Sequence, residues 1–195
     1  HIEDTAIALK YFGPQYDIHG GAIELAFPHH EAEIAQAEAT TKKKPYVKHW
    51  VHAGLLTIRK EKMAKSKGNF VRLVDALNQH SPEILRMWIA STHYRKPLDY
   101  NERDIENAGK KVEKISTVLQ RIRENTKKPM GGDQRFTNKM HKARDRFMGA
   151  MEDDMNTPLA VSGLLDVVSM VNKKIDSGEY STIELKSAEK LIEEL

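Results

Sequence analysis

Not one cysteine occurs among the 195 residues. The chain can therefore form no disulfide and offer no thiolate of its own to a metal, a composition that suits a cytoplasmic protein. Long apolar runs are missing as well, and nothing approaches the roughly 20 consecutive apolar residues that a membrane-spanning helix needs. A large charge excess is also lacking. Lys and Arg total 31 against 28 for Asp and Glu, a net charge of +3, which is compatible with a nucleotide or nucleic-acid partner without demanding one. There is no internal repeat and no low-complexity tract. The first residue is His1 rather than methionine, and the sequence behind it already reads as a structural element. A preceding N-terminal part is therefore expected. The length suffices for one large domain or two small ones with a real core.

What is present in concentration is potential metal ligand. Between Asp17 and Glu33 stand His19, His29, His30 and four carboxylates, around the pair Gly20-Gly21. Asp17-Ile18-His19 reads as the end of a short strand, and Gly20-Gly21 as a turn where backbone can approach a ligand. Pro28 suits a first helical position, and HHEAEIAQAEA continues with good helix formers. In that helix His29 and Glu33 are four residues apart and share a face. An imidazole and a carboxylate presented together suit zinc, although the same pair also fits a plain surface contact.

Around this stretch the chain alternates elements. Residues 1–16 read as a short helix, with Ile7, Leu9 and Phe12 facing a core and Gly13-Pro14 ending it. Tyr46 to Ile58 is rich in β-branched and aromatic residues and predicts two short strands with a bend at Ala53-Gly54. From Arg59, the cations Arg59, Lys60, Lys62, Lys65 and Lys67 are offset only by Glu61. With Ala64, Ser66 and Gly68 between them they form either a mobile loop able to meet a polyphosphate or a solvated basic surface.

Beyond Val71 the pattern is helical. Ser81 caps a helix carrying Ile84, Leu85, Trp88 and Ile89, and Asn101 caps a long one with Ile105, Ala108, Val112, Ile115, Leu119 and Ile122 on one face. After a turn at Pro129 to Gly132 come a stripe of Phe136, Met140, Ala143, Phe147 and Met151, a helix bearing Leu159, Leu164, Val168, Val171 and Ile175, and a last one with Leu185 to Leu195. Asp153 to Asn156 reads as a carboxylate cluster or, more simply, as the cap of the helix that Pro158 begins. The organisation is α/β to about residue 70 and all-helical after it. The expected boundaries are 1–75, a connecting helical region 76–100, and a helical bundle 101–195.

The motifs in order, HIExxxIALKYFG, DIHGG, FPHHEAEIAQAEA, HWVHAG and KMAKSKGNF, resemble the second half of the catalytic domain of cysteinyl-tRNA synthetase, a class I aminoacyl-tRNA synthetase. KMAKS is similar to that class's KMSKS loop with Ala64 for the central serine, and EILRMWIASTHYRKPLDYN and DDMNTPLA extend the likeness into the helices. The resemblance implies a Rossmann-type half-domain followed by an all-α bundle, and a reaction that activates cysteine with ATP and Mg²⁺ and passes it to tRNA(Cys). It makes Lys65 the ATP-binding lysine with Lys62 its assistant, and puts Gly20, Gly21, Glu24 and His52 beside the nucleotide. It makes His29 and Glu33 ligands of a zinc ion that selects the substrate thiolate over a hydroxyl. His19 and His30 are lesser candidates.

Three departures qualify the likeness. Where the family has a cysteine ligand this chain has Asp4, which zinc also accepts; Ala22 replaces a glycine; and Glu24 stands where the family has Asp near the ribose. The HIGH-type motif of the first half-domain does not occur, so the chain alone is expected neither to activate cysteine nor to charge tRNA. A monomer is the expected oligomeric state. Rival readings are a mycothiol-type cysteine ligase with the same loop and metal, and a non-catalytic RNA- or protein-binding helical module.

Overall fold

The computed structural model describes residues 1–64, 66, 68–125 and 133–195. Contacts within the chain divide it into two units, His1–Ala64 with Tyr94–Asp99, and Lys65–His93 with Tyr100–Leu195.

In the first unit α1 (Ile2–Phe12) ends where Gly13 takes φ 82°. Of Ile7, Leu9 and Phe12, expected to face the core, Leu9 packs against it and the other two do not. Thr5 and Ala8 are the buried positions, Ile7 and Phe12 are exposed, and Leu9 is only partly covered. Ala8 meets Ala37 of α2 (Glu31–Thr41), and Thr5 Oγ1 lies 2.9 Å from Gln36 Oε1. Small side chains at the contact bring the two helices close, and this turns the larger apolar groups of α1 outward.

A parallel pair follows, β1 (Tyr16–Ala22) against β2 (Val47–Ala53), in register from Tyr16 opposite Val47 to Ala22 opposite Ala53. Parallel strands need a crossover, and α2 supplies it. Gly20 and Gly21 therefore lie inside β1, not in a turn. Between β1 and α2 runs a short helical turn, Ile23–Leu25, then Ala26–His30, interrupted at Phe27, whose φ −136° and ψ 136° are extended. The bend at Gly54 is as expected, leading to β3 (Leu56–Ile58). Two further strands carry little sequence signal because each is two residues long. β4 (Glu61–Lys62) pairs antiparallel with β3, and β5 (Leu98–Asp99) pairs parallel with it. The β3–β4 turn puts Arg59 and Lys60 at φ 52° and 65°, the left-handed pair a two-residue hairpin requires. Asp99 Oδ1 accepts from Lys60 N and Thr57 Oγ1, each at 2.8 Å.

The second unit is helical: α3 (Leu73–Gln79), α4 (Pro82–Ala90), α5 (Glu102–Glu124), α6 (Gln134–Glu152), α7 (Thr157–Ser177) and α8 (Thr182–Glu194). Ser81, Asn101, Asp133, Asn156 and Ser181 cap α4 to α8 with side-chain acceptors, satisfying backbone N–H groups that a helix start leaves bare. Asn156 Oδ1 accepts from Leu159 N at 3.3 Å, so the Asp153–Asn156 stretch is a cap. The core gathers Val118, Ile122, Phe136, Val167, Val171 and Leu185 among others. Ile89 and Leu159, expected inside, are exposed, whereas Val118 and Val167 are buried. The expected stripes otherwise hold: Ile105, Ala108, Ile122, Met140, Leu164 and Val168 are buried. Pro129 to Gly132 lie outside the described residues. Among the described residues no helix is long and apolar enough to cross a membrane.

Gly54 is the tightest backbone contact in the first unit. A Cβ built there would stand 2.2 Å from the Lys96 carbonyl oxygen and 2.7 Å from Pro97 N, while Gly54 N donates to Tyr94 O at 2.7 Å. Because the obstacle is backbone, it cannot swing aside. Gly54→Ala is expected to destabilise the protein by about 1–3 kcal/mol, read as a lowered urea midpoint at unchanged slope.

Candidate functional site

The site grows from strand alternation. His19 and Gly21 of β1 point to the same face, and their register partners are Trp50 and His52 of β2. His19 stacks on Trp50, with ring centroids 4.8 Å apart and planes 26° apart. Gly21 leaves a gap beside that stack, and His30 fills it. A Cβ on Gly21 would lie 2.7 Å from His30 Cε1. His30 is buried against His19, Trp50 and His52, with Nδ1 2.8 Å from His52 Nε2. One N–H is shared between the two rings. Burial, reinforced by the neighbouring imidazoles His19, His52 and His29, pushes the His30 pKa down to about 4, so the ring is neutral at pH 7.

Above this floor, the turn before α2 presents His29 and the first turn of α2 presents Glu33. Glu33 is only 1% exposed. Its Oε1 lies 2.9 Å from His29 Nε2, and Asp4 Oδ2 of α1 lies 3.1 Å from the same nitrogen. Asp4, His29 and Glu33 each offer a donor atom within 4.8 Å of the others, and so do His19, His30 and Glu33. A single proton on His29 cannot satisfy two carboxylates at once, and among the described residues the only groups that could carry a positive charge beside Glu33 are the imidazoles His29 and His19. A buried carboxylate in that position costs several kcal/mol if it is not neutralised. One imidazole and two carboxylates converging at 2.9–3.1 Å fit a divalent cation such as zinc, whose bonds to these donors run near 2.0–2.2 Å.

The floor also carries Tyr16, which sequence reasoning passed over. Burial, the adjacent Tyr46 and the Glu33 charge raise its pKa well above the ordinary range. The phenol stays protonated, and its hydroxyl is hydrogen-bonded to His19 Nδ1. Tyr46 is buried behind it with an unpartnered hydroxyl. The signal for Trp50 was present in HWVHAG, where a Trp and a His two apart on a strand must share a face. For Tyr16 no sequence signal existed, since its role depends on the β1–β2 register. A cavity of about 470 Å³ opens over the group, lined by Asp4, Ile7, Tyr16, His19, His30 and Glu33.

The nucleotide candidates fall as follows. Lys62 of β4 and Glu24 of the turn after β1 come together, Lys62 Nζ donating to both Glu24 oxygens at 2.7 Å. Gly20 lines the cavity, Gly21 faces His30, and His52 is turned to His30. Lys65 lies outside the described residues.

Comparison with known proteins follows the same lines. Residues 1–110 match the family described as tRNA synthetases class I (C) catalytic domain, and residues 146–195 match the DALR domain. The chain is 42% identical over 178 residues to a cysteine–tRNA ligase of Pelotomaculum thermopropionicum, covering 90% of this chain and 37% of that protein. With the cysteine–tRNA ligase of Geobacter sulfurreducens the identity is 39% over 197 residues, 99% of this chain and 41% of the other. The chain thus spans about two fifths of the length of these relatives. In three dimensions it is similar to LeuRS of Agrobacterium radiobacter, solved as a ternary complex with tRNA and LeuAMS. That match has a TM-score of 0.72 at 16% identity, over 92% of this chain and 24% of the other; it speaks for the fold alone.

The depressed His30 value has a measurable consequence. In metal-free protein the unfolded chain protonates His30 near its ordinary pKa of 6.5, and the folded chain only near 4. The unfolded state therefore holds more protons in that window, and stability is full above pH 6.5 and declines as pH falls toward 4. Urea titrations at pH 7 and pH 5 should show a steeper loss for wild type than for His30→Asn; equal losses would contradict the assignment.

Proposed function

The chain belongs to the family of class I (C) tRNA synthetase catalytic domains, and we propose from that premise that it is the metal- and lysine-bearing part of a cysteine–tRNA ligase. Such an enzyme joins cysteine to ATP as cysteinyl-adenylate and passes the cysteine to tRNA(Cys), in the cytoplasm. The substrate follows the printed names of the relatives, and the DALR match over residues 146–195 favours a tRNA-directed enzyme over an amino-sugar ligase. The observation that carries the reading is a convergence within one unit. Asp4, His29 and Glu33 meet at one cavity, and Lys62 of the lysine loop is held in the same unit by Glu24.

In the activation step the cysteine carboxylate attacks the α-phosphorus of ATP, the bond to the bridging oxygen breaks, and Mg²⁺-bound pyrophosphate leaves. The carboxylate is already a nucleophile and needs no base. The protein's task is alignment and neutralising charge on the leaving group. Lys62 and Lys65 perform it, as ammonium groups that pair with the phosphates. Glu24 holds Lys62 until the phosphates draw it off, and its carboxylate then accepts a ribose hydroxyl. Asp4, His29 and Glu33 would hold zinc, which when bound supplies a Lewis acid that prefers a thiolate to an alcohol. Beneath them the neutral His30 adds no positive charge that could draw the thiolate away from its site, and Tyr16 and Trp50 fix His19.

With the full-length protein, Lys62→Ala is expected to lower cysteine-dependent ATP–pyrophosphate exchange on the order of 100-fold, the usual cost of one transition-state donor. The 195-residue chain by itself is expected to give no exchange, for want of the other half-site. Exchange at wild-type rate by the Lys62→Ala protein, or any cysteine-dependent exchange by the short chain, would overturn the assignment of roles.

A further inference from the structure

The Asp4–His29–Glu33 centre uses one oxygen of Glu33. The other, Oε2, is equally enclosed and has no hydrogen-bond partner among the described residues. Its neighbour is His19 Nδ1 at 3.8 Å, beyond hydrogen-bond reach. We propose that Oε2, together with His19 and His30, holds a second divalent cation, so that the Glu33 carboxylate bridges two cation positions.

Two histidines and a glutamate are a donor set that zinc accepts with water in its remaining position. One ligand atom from each of His19, His30 and Glu33 lies within 4.8 Å of the others. A four-coordinate cation with bonds near 2.0–2.2 Å draws such atoms to roughly 3.3–3.6 Å, a change within reach of small side-chain rotations. His30 is already braced for this use. Its Nδ1 is tied to His52 Nε2 at 2.8 Å, the kind of support a metal-bound imidazole takes through its other nitrogen. Its Nε2 faces Gly21, where a Cβ would stand 3.1 Å away. His19 is fixed by its stack on Trp50 and by the hydrogen bond between Nδ1 and the Tyr16 hydroxyl, and an incoming cation takes the place of that hydroxyl at Nδ1. The second position shares Glu33 with the centre in the reading above but uses different imidazoles, so the two can fail separately.

The test is a zinc count on the 195-residue chain, stripped with chelator, dialysed against Zn²⁺ and measured by atomic emission, with far-UV circular dichroism to confirm folding. Wild type is expected to hold two zinc ions. His19→Phe keeps a ring over Trp50 while removing both nitrogens, and is expected to hold one. His29→Ala is also expected to hold one, and Glu33→Gln none. A Co²⁺ titration followed by visible absorption reads the same number without any variant, saturating at two equivalents. One zinc in wild type, kept by His19→Phe and lost in His29→Ala, overturns the second position and leaves the first. One zinc lost in His19→Phe and kept by His29→Ala supports the His19–His30 position and overturns the Asp4–His29–Glu33 centre. No zinc in any form overturns both.

Discussion

A carboxylate that is 1% exposed sets the terms for the first unit. Moving an ion of that size out of water costs several kcal/mol even after relaxation, and Glu33 sits on a helix whose neighbours offer imidazoles rather than ammonium or guanidinium groups. An imidazole answers such a charge in two ways, by taking a proton or by sharing a cation. His30 is held neutral by its surroundings, and His29 lies between two carboxylates. Proton uptake by His29 alone would leave Oε2 unanswered. A cation bound there would resolve the imbalance, the donor atoms being already gathered.

The surrounding architecture places that carboxylate and the rings beneath it. A parallel β1–β2 pair fixes which side chains face one another, and the missing Cβ of Gly21 makes the space that His30 occupies. The glycine thus acts by its small size and not by an unusual backbone angle. The Trp50 indole then serves as a common wall for His19 and His30. A ring-lined floor of this kind costs little conformational freedom to order, since each ring has two torsions and each is held by stacking. In the second unit rigidity has another origin. Five side-chain caps and a continuous core from α5 to α8 leave few backbone groups for solvent to compete for, and among its described residues that unit gathers no candidate metal-ligand cluster comparable to the first.

How much of this was legible in the sequence depended on the range of the interaction. His29 and Glu33 come together because they are four apart where the helical turn Ala26–His30 runs into α2, a spacing the sequence alone displays. The helix caps Ser81, Asn101 and Asn156 are equally local and were read correctly. Gly20-Gly21 was misread as a turn, since glycine signals backbone freedom in a sequence but says nothing about a ring arriving from nine residues further on. Ile7 and Phe12 were misplaced because small residues, Ala8 and Ala37, decided how closely α1 and α2 approach. Tyr16 was invisible, its function being set by a strand register. β4 and β5 were too short to leave a pattern, although Asp99 ties β5 to the β3–β4 turn.

The absence of cysteine has its own consequence at this centre. Asp4, His29 and Glu33 would bind through oxygen and nitrogen, which donate less electron density to zinc than sulfur does. A zinc ion held this way would keep more of its Lewis acidity. Within this chain no thiolate can complete its coordination, because no cysteine exists to supply one. On the cysteine-activating reading, the thiolate that completes the coordination sphere has no competitor from this half of the pocket, and no thiol in this half can trap the substrate as a mixed disulfide. On that reading, selection for cysteine would rest on the one position that the substrate must fill.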